Sequence, residues 1–154
     1  MPKGKGYIVY TPKEYMTKVL AFGTFDLLHP GHEFYLEKAK KYGDTLIVVI
    51  ARDETAEALN NRRPLHDEKT RLASIKDLPY VDEAFLGNPG DKYAIIEEIE
   101  PDVIVFGYDQ KSFTDDIEKT LAERELHPKI IRLKESYEPK LYKSSKLRAL
   151  ALKK

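Results

Sequence analysis

The segment Thr45–Ile50 reads TLIVVI, and five of its six residues are apolar. A strand with one face in water alternates apolar and polar residues, whereas this run leaves no polar face. Such a strand is typical of a parallel sheet that is covered by helices on both sides. The run therefore predicts a central strand of an α/β protein.

Other short apolar runs alternate along the chain with longer stretches in which apolar residues recur at helical spacing. We predict strands at Lys18–Gly23, Thr45–Ile50, 81–86, 102–106 and 129–133. We predict helices at 31–42, 67–76, 92–99, 114–125 and 143–152, and we place Arg62 and Arg63 on a polar loop after the second strand. This alternation predicts a single Rossmann-like, doubly wound parallel five-stranded sheet. Ligands of such sheets bind beyond the carboxyl ends of the strands.

Length and composition limit the classes of partner and of site. The 154 residues fit one domain, which we expect over 16–154, with 1–15 as an N-terminal extension. Lys+Arg and Asp+Glu both number 26, so no net charge favours nucleic acid or an anionic membrane. The chain has no cysteine, which excludes disulfides and thiolate-bound metals and fits a cytoplasmic protein. No apolar run approaches the roughly 20 residues that span a bilayer. The sequence is compatible with a homodimer but does not determine the oligomeric state.

The junction between the first strand and the next helix reads GTFDLLHPGH over 23–32. Pro30 suits the first turn of a helix, where its missing N–H has no helical partner in any case. Gly31 allows close approach of a ligand to the backbone, and a helix N-terminus attracts phosphate. His29 and His32 are three residues apart, so both can face the same ligand. The junction predicts chemistry on a phosphoryl group.

Two other interpretations of these histidines are weaker. A single histidine at a helix start is usually a cap or a surface residue, but two of them framing Pro-Gly need a further reason. A zinc site is the second interpretation. The remaining histidines, His66 and His127, fall in unrelated segments, and no cysteine is present to complete a site.

GTFDLLHPGH resembles the nucleotide-binding segment of the HxGH nucleotidyltransferase superfamily, in its cytidylyltransferase-like branch. The resemblance runs from about residue 18 to the C-terminus. It implies that Thr24, Phe25, His29 and His32 contact a nucleoside triphosphate, with the two histidines catalytic. Mg²⁺ is then expected as a cofactor that bridges triphosphate oxygens, with no metal ligand from the protein.

Basic residues after the second strand are candidates for further anion contacts. By the resemblance, Arg62 or Arg63 reaches the acceptor or the triphosphate, and Arg71 lies near the phosphates. For any one arginine in a polar loop, the alternative is a solvated side chain.

A second candidate phosphate site opens the last predicted helix. From Pro139 onward the chain has six basic residues and no Asp or Glu. Lys143, Ser144 and Ser145 stand at the start of that helix, where hydroxyl and N–H groups can bind phosphate oxygens. With Arg148 they resemble the Ser-Ser/Thr-x-x-Arg motif of HxGH adenylyltransferases.

The end of the fourth strand distinguishes branches of the family. Asp109 is placed to accept hydrogen bonds from a ribose or base, or else simply caps its loop. Glycerol-3-phosphate cytidylyltransferases tend to carry Gly-Asp-Asp-Trp here, whereas this chain has Gln110 and no Trp at all. The segment resembles archaeal-type FAD synthases, which implies ATP and FMN as small-molecule substrates. Tyr137 is one of several aromatic residues on this rim that could contact a nucleotide or an isoalloxazine ring.

Two alternatives remain. A cytidylyltransferase that uses CTP and glycerol 3-phosphate, or a related alcohol or sugar phosphate, needs the same motif. A nucleotide-binding regulatory module without turnover would be expected to lack a catalytic histidine, yet His29 and His32 are both present.

Overall fold

The sheet of this protein is five-stranded and all-parallel. The structure, a computed structural model, describes residues 16–91, 93–107 and 117–134. Its strands are β1 (Lys18–Gly23), β2 (Thr45–Ile50), β3 (Glu83–Leu86), β4 (Val103–Phe106) and β5 (Lys129–Arg132). Their order across the sheet is β3-β2-β1-β4-β5, and every pair is parallel. The predicted Rossmann-like fold class is confirmed.

Both faces of the sheet are covered, as the apolar run in β2 predicts. Leu46, Val48 and Ile50 belong to one buried cluster, together with residues of the helices before β2 and before β3. Ile47 and Val49 belong to the other, with residues of the helices that flank β4. Because consecutive strand residues point to opposite faces, one strand contributes to two cores.

The helices are α1 (Pro30–Lys40), α2 (Asp53–Asn60), α3 (Glu68–Lys76), α4 (Ala94–Ile99) and α5 (Ile117–Glu123). The helix α2 was not predicted; it occupies most of the segment 51–63, and Arg62 and Arg63 follow it in a loop, as expected. Two of its acidic residues, Asp53 and Glu54, lie in the first turn, Ala56 is buried, and Asn61 ends the helix in the left-handed conformation at φ 59°. The helix predicted at 143–152 lies outside the described residues.

Three aspartates fasten the amino ends of the strands. Asp44 Oδ2 accepts the N–H of Thr17, Asp82 Oδ2 that of Leu46, and Asp102 Oδ2 that of Lys18, each at 2.8 Å. The backbone N–H of each aspartate returns a bond to the carbonyl of the same partner. The amino edge is thus held by reciprocal bonds, and the opposite edge carries the candidate site. Within the described ranges, no helix has the length and apolarity needed to cross a membrane.

Candidate active site

His29 is the N-cap of α1. Its backbone is extended (φ −143°, ψ 170°), and its Nδ1 accepts the N–H of Gly31 at 3.0 Å. The imidazole of His29 therefore already binds the N–H of Gly31. A nitrogen that accepts carries no hydrogen, so the neutral ring has its proton on Nε2. The cap fixes the tautomer and leaves Nε2–H as the donor.

The ring of His32 stacks on that of His29, with centroids 3.7 Å apart and planes inclined by 27°. The pKa of His32 is lowered from 6.5 to about 3, chiefly by burial and then by the neighbouring charge of His29, while a hydrogen bond to the carbonyl of Leu27 raises it in part. His32 is therefore neutral near pH 7. The two rings therefore lie side by side, as their spacing allows, and their contact with a ligand stays a prediction.

The buried ring of Phe25 packs against the ring of His32. Phe25 is one of the few non-glycine residues with positive φ (53°), and it is buried. Its ring meets that of His32 edge-on at 5.3 Å. A Cβ on Gly23 would lie 2.5 Å from Phe25 Cζ, so this packing requires glycine there. The contact of Phe25 with a nucleotide stays a prediction, because here its ring packs inside the protein.

Asp26 connects the loop between β1 and α1 (residues 24–29, here called the histidine loop) to the segment before α3. It is 8% exposed, and its two carboxylate oxygens accept the N–H groups of Leu65 and His66, each at 2.9 Å. The Nδ1 of His66 lies 2.8 Å from the carbonyl oxygen of Asp26, which can only accept, so Nδ1 carries the proton in that bond. The loop that carries Arg62 and Arg63 therefore ends on the histidine loop.

Arg71 connects three segments at the carboxyl edge. Its side chain is fully buried, and its Nη2 lies 2.8 Å from Asp53 Oδ1. Its Nη1 donates to the carbonyls of Thr24 (2.8 Å) and Ala51 (2.7 Å). Its Nε donates to the carbonyl of His66. All of these partners are protein oxygens, so this guanidinium positions the loops; a contact between Arg71 and phosphate stays a prediction.

The family follows from comparison with known proteins. A model of the family described as "Cytidylyltransferase-like" matches residues 20–150, which is most of the chain. The chain belongs to the cytidylyltransferase-like family. The resemblance seen in GTFDLLHPGH is thereby confirmed.

Several curated relatives of this chain are named FAD synthase. FAD synthase of Methanohalophilus mahii is 42% identical over 132 residues, covering 86% of this chain and 92% of that protein. FAD synthase of Thermoplasma volcanium is 43% identical over 133 residues, with 86% and 92% covered. The aligned part includes most of both chains.

Solved structures agree on the fold. The lipopolysaccharide core biosynthesis protein of Thermoplasma volcanium superposes with a TM-score of 0.75 at 43% identity, covering 80% of this chain and 99% of that one. Pantoate-beta-alanine ligase of Francisella tularensis has a TM-score of 0.56 at 16% identity, covering 91% and 70%, and supports the fold alone.

Arg62 and Arg63 stand at the open side of this cytidylyltransferase-like site. Both are exposed, and Arg63 forms long ion pairs with Glu57 (3.4 Å) and Asp53 (3.8 Å). Weak pairing on an exposed side chain is easily exchanged for a phosphate. Their predicted contact with the acceptor or triphosphate stays a prediction.

The other predicted contacts of the cytidylyltransferase-like site lie outside the described residues. They are Asp109, Tyr137, Lys143, Ser144, Ser145 and Arg148. Within the described ranges, no three His, Asp or Glu side chains gather closely enough to hold a metal ion.

Sequence reasoning missed Asp26 and Asp53 as residues of the site. Asp26 stood inside the motif, and a carboxylate between two apolar residues at a strand end was a signal for buried N–H partners. Asp53 had no such signal, because its partner Arg71 is 18 positions away.

Proposed function

We propose that the protein transfers AMP from ATP to the phosphate of FMN, giving FAD and pyrophosphate. The observation that carries this is the stacked histidine pair at the helix start of a chain whose relatives, 42–43% identical, are named FAD synthase. The predicted ATP and FMN substrates follow from that name and from the resemblance of the segment around Asp109.

The proposed reaction needs no nucleophilic side chain. A phosphate monoester is largely dianionic at pH 7, since its second pKa is about 6. One of its oxygens attacks the α-phosphorus of ATP. A new P–O bond forms, the bond to the bridging oxygen breaks, and its electron pair leaves with pyrophosphate. The protein has to position the reactants and stabilise the developing charge.

The two histidines divide these tasks. His29 presents Nε2–H because its Nδ1 is held by the N–H of Gly31. His32 is neutral in the unliganded protein, and its pKa must rise as phosphate charge approaches. The pair can thus gain positive charge at the moment when negative charge arrives.

Mg²⁺ enters the proposed reaction as part of the MgATP substrate. It would neutralise part of the charge that develops on the leaving pyrophosphate. Arg62 or Arg63 then remains for the acceptor phosphate. We place the reaction in the cytoplasm, which the lack of cysteine permits.

The test is to incubate the protein with FMN, Mg²⁺ and either ATP or CTP, and to separate the flavins by chromatography. FAD formed with ATP, and no flavin dinucleotide formed with CTP, is the expected result. CDP-glycerol formed from CTP and glycerol 3-phosphate, with FMN left unchanged, would overturn the proposal in favour of the cytidylyltransferase alternative. His32→Ala serves as the matched inactive control.

A further inference from the structure

Tyr35 is buried in α1, and its hydroxyl lies inside the sheet at the point where β1 and β4 separate. The hydroxyl accepts the N–H of Phe22 at 3.2 Å and donates to the carbonyl of Val105 at 2.7 Å. Phe22 belongs to β1 and Val105 to β4. A helix side chain therefore bridges two parallel strands.

The strand pairing changes at this position. β1 pairs with β2 as far as Gly23↔Ile50, but with β4 only as far as Ala21↔Val105. The order β3-β2-β1-β4-β5 reverses direction between β1 and β4, which makes this the switch point of the sheet. Crevices at such switch points are where doubly wound sheets bind ligands. The Tyr35 hydroxyl thus lies at the bottom of the expected nucleotide crevice.

The ring of Tyr35 makes a second connection to the site. It lies nearly parallel to the ring of Phe25, with centroids 6.4 Å apart and planes inclined by 16°. Phe25 in turn meets His32 edge-on. One residue therefore reaches both the floor of the crevice and the support of a catalytic histidine.

We propose that Tyr35 is a positioning residue for nucleotide binding. Its hydroxyl ends the β1–β4 pairing and holds the crevice open, and its ring holds Phe25 against His32. The two parts of the side chain act on different steps. The hydroxyl affects the affinity for the nucleotide, and the ring affects the turnover rate. This inference rests on the proposed function for the identity of the nucleotide, but its first readout is binding alone.

Tyr35→Phe removes the hydroxyl and keeps the ring. The variant is expected to bind MgATP about two- to tenfold more weakly by titration calorimetry, the effect of one hydrogen-bonding group. Its kcat should stay within about twofold, since Phe25 and His32 keep their support. Tyr35→Leu also removes the ring, and its kcat should fall as well. The split between the two variants distinguishes positioning from a general loss of stability.

Tyr80→Phe is the matched control. The Tyr80 hydroxyl is buried with no hydrogen-bond partner among the residues that the structure describes, and its ring packs on the same cluster as Tyr35. Removing it should leave MgATP affinity unchanged. Equal affinities in Tyr35→Phe, Tyr80→Phe and the unaltered protein would overturn the proposal.

A second variant covers the case in which Tyr35→Phe does not fold. Incorporation of 4-aminophenylalanine at position 35 keeps a polar spacer and a donor to Val105. It should bind MgATP within about twofold of the unaltered protein, with the Phe22 amide still protected from hydrogen exchange. A loss of about tenfold in this variant, with the protein folded, would contradict the spacer role. If instead the unaltered protein binds ATP but makes no FAD, the proposed function fails while the binding test of Tyr35 stands.

Discussion

The rings of His29 and His32 stack at a centroid distance of 3.7 Å. Two imidazoles at this distance cannot both be protonated without strong repulsion. One of them, His29, is at the same time the hydrogen-bonding cap of α1. Charge state, helix capping and the proposed phosphate chemistry are therefore coupled within four residues, and substitutions can separate them.

His29→Asn should separate the cap from catalysis. An asparagine oxygen can accept the N–H of Gly31, so the helix stays capped, but the Nε2–H donor is lost. We expect turnover to fall by about 10²–10³-fold, as for other deleted transition-state donors. His29→Ala should lose the same turnover and also about 1 kcal/mol of stability. Steady-state kinetics and urea unfolding measure the two effects; an active His29→Asn would contradict the donor role.

Lowering the pH should lower the free energy of unfolding, because His32 is buried as the neutral ring. Its pKa is lowered to about 3 in the folded protein, so between about 6.5 and 3 the unfolded chain binds the extra proton. The stabilisation is present above pH 6.5 and is lost as the pH falls. Between pH 7.5 and 5 we expect a loss of roughly 1–2 kcal/mol from this residue. His32→Gln should remove that part of the slope in urea titrations; an unchanged slope would contradict the shifted pKa.

Arg71→Met should destabilise the protein far more than Arg63→Met. The Arg71 side chain is 0% exposed and its partner Asp53 is 13% exposed, so the substitution leaves a largely buried carboxylate with only its longer, 3.8 Å pair to the exposed Arg63. The expected cost is about 3–5 kcal/mol. The Arg63 side chain is 60% exposed, and losing its ion pairs should cost no more than about 0.5 kcal/mol. Thermal unfolding of both variants makes the comparison, and equal losses would contradict the positioning role of Arg71.

Asp26→Asn should loosen the loop that carries Arg62 and Arg63. An amide can accept only one of the two N–H groups that the carboxylate binds, and its own NH₂ then faces the other. We expect a higher KM for FMN and faster tryptic cleavage after Arg62.

Asp102→Asn is the control for that variant. Asp102 accepts one backbone N–H at the opposite edge of the sheet, and an amide oxygen can replace it there. Its kinetic constants should match those of the unaltered protein. An Asp26→Asn variant with the same KM as Asp102→Asn would show that the loop does not act on the acceptor.

The sheet was predictable because buried strands appear in the sequence as short apolar runs such as TLIVVI. The helix α2 was not, since DETAEALN exposes most of its surface and buries little more than Ala56. A helix of eight residues that buries one of them gives a short and weak pattern, although its acidic first turn and the asparagine after it were signals.

The candidate site also has features that the sequence predicts and features that it does not. His29 and His32 were predictable because their spacing is local and the motif is specific. That His29 caps its own helix through Nδ1 could not be predicted, because it depends on the rotamer of one ring. The contacts of Arg71 with Thr24, Ala51 and Asp53 join segments 18 to 47 positions apart, which no local pattern encodes.

The reciprocal bonds of Asp44, Asp82 and Asp102 have a consequence for how such a protein can change. They secure the amino ends of the strands, and the histidines follow the carboxyl end of β1. Residues at the opposite edge can then vary with little risk to the alignment of the strands. A lineage built on this scaffold is free to exchange one acceptor for another by altering loops alone, because the geometry of the sheet is secured elsewhere.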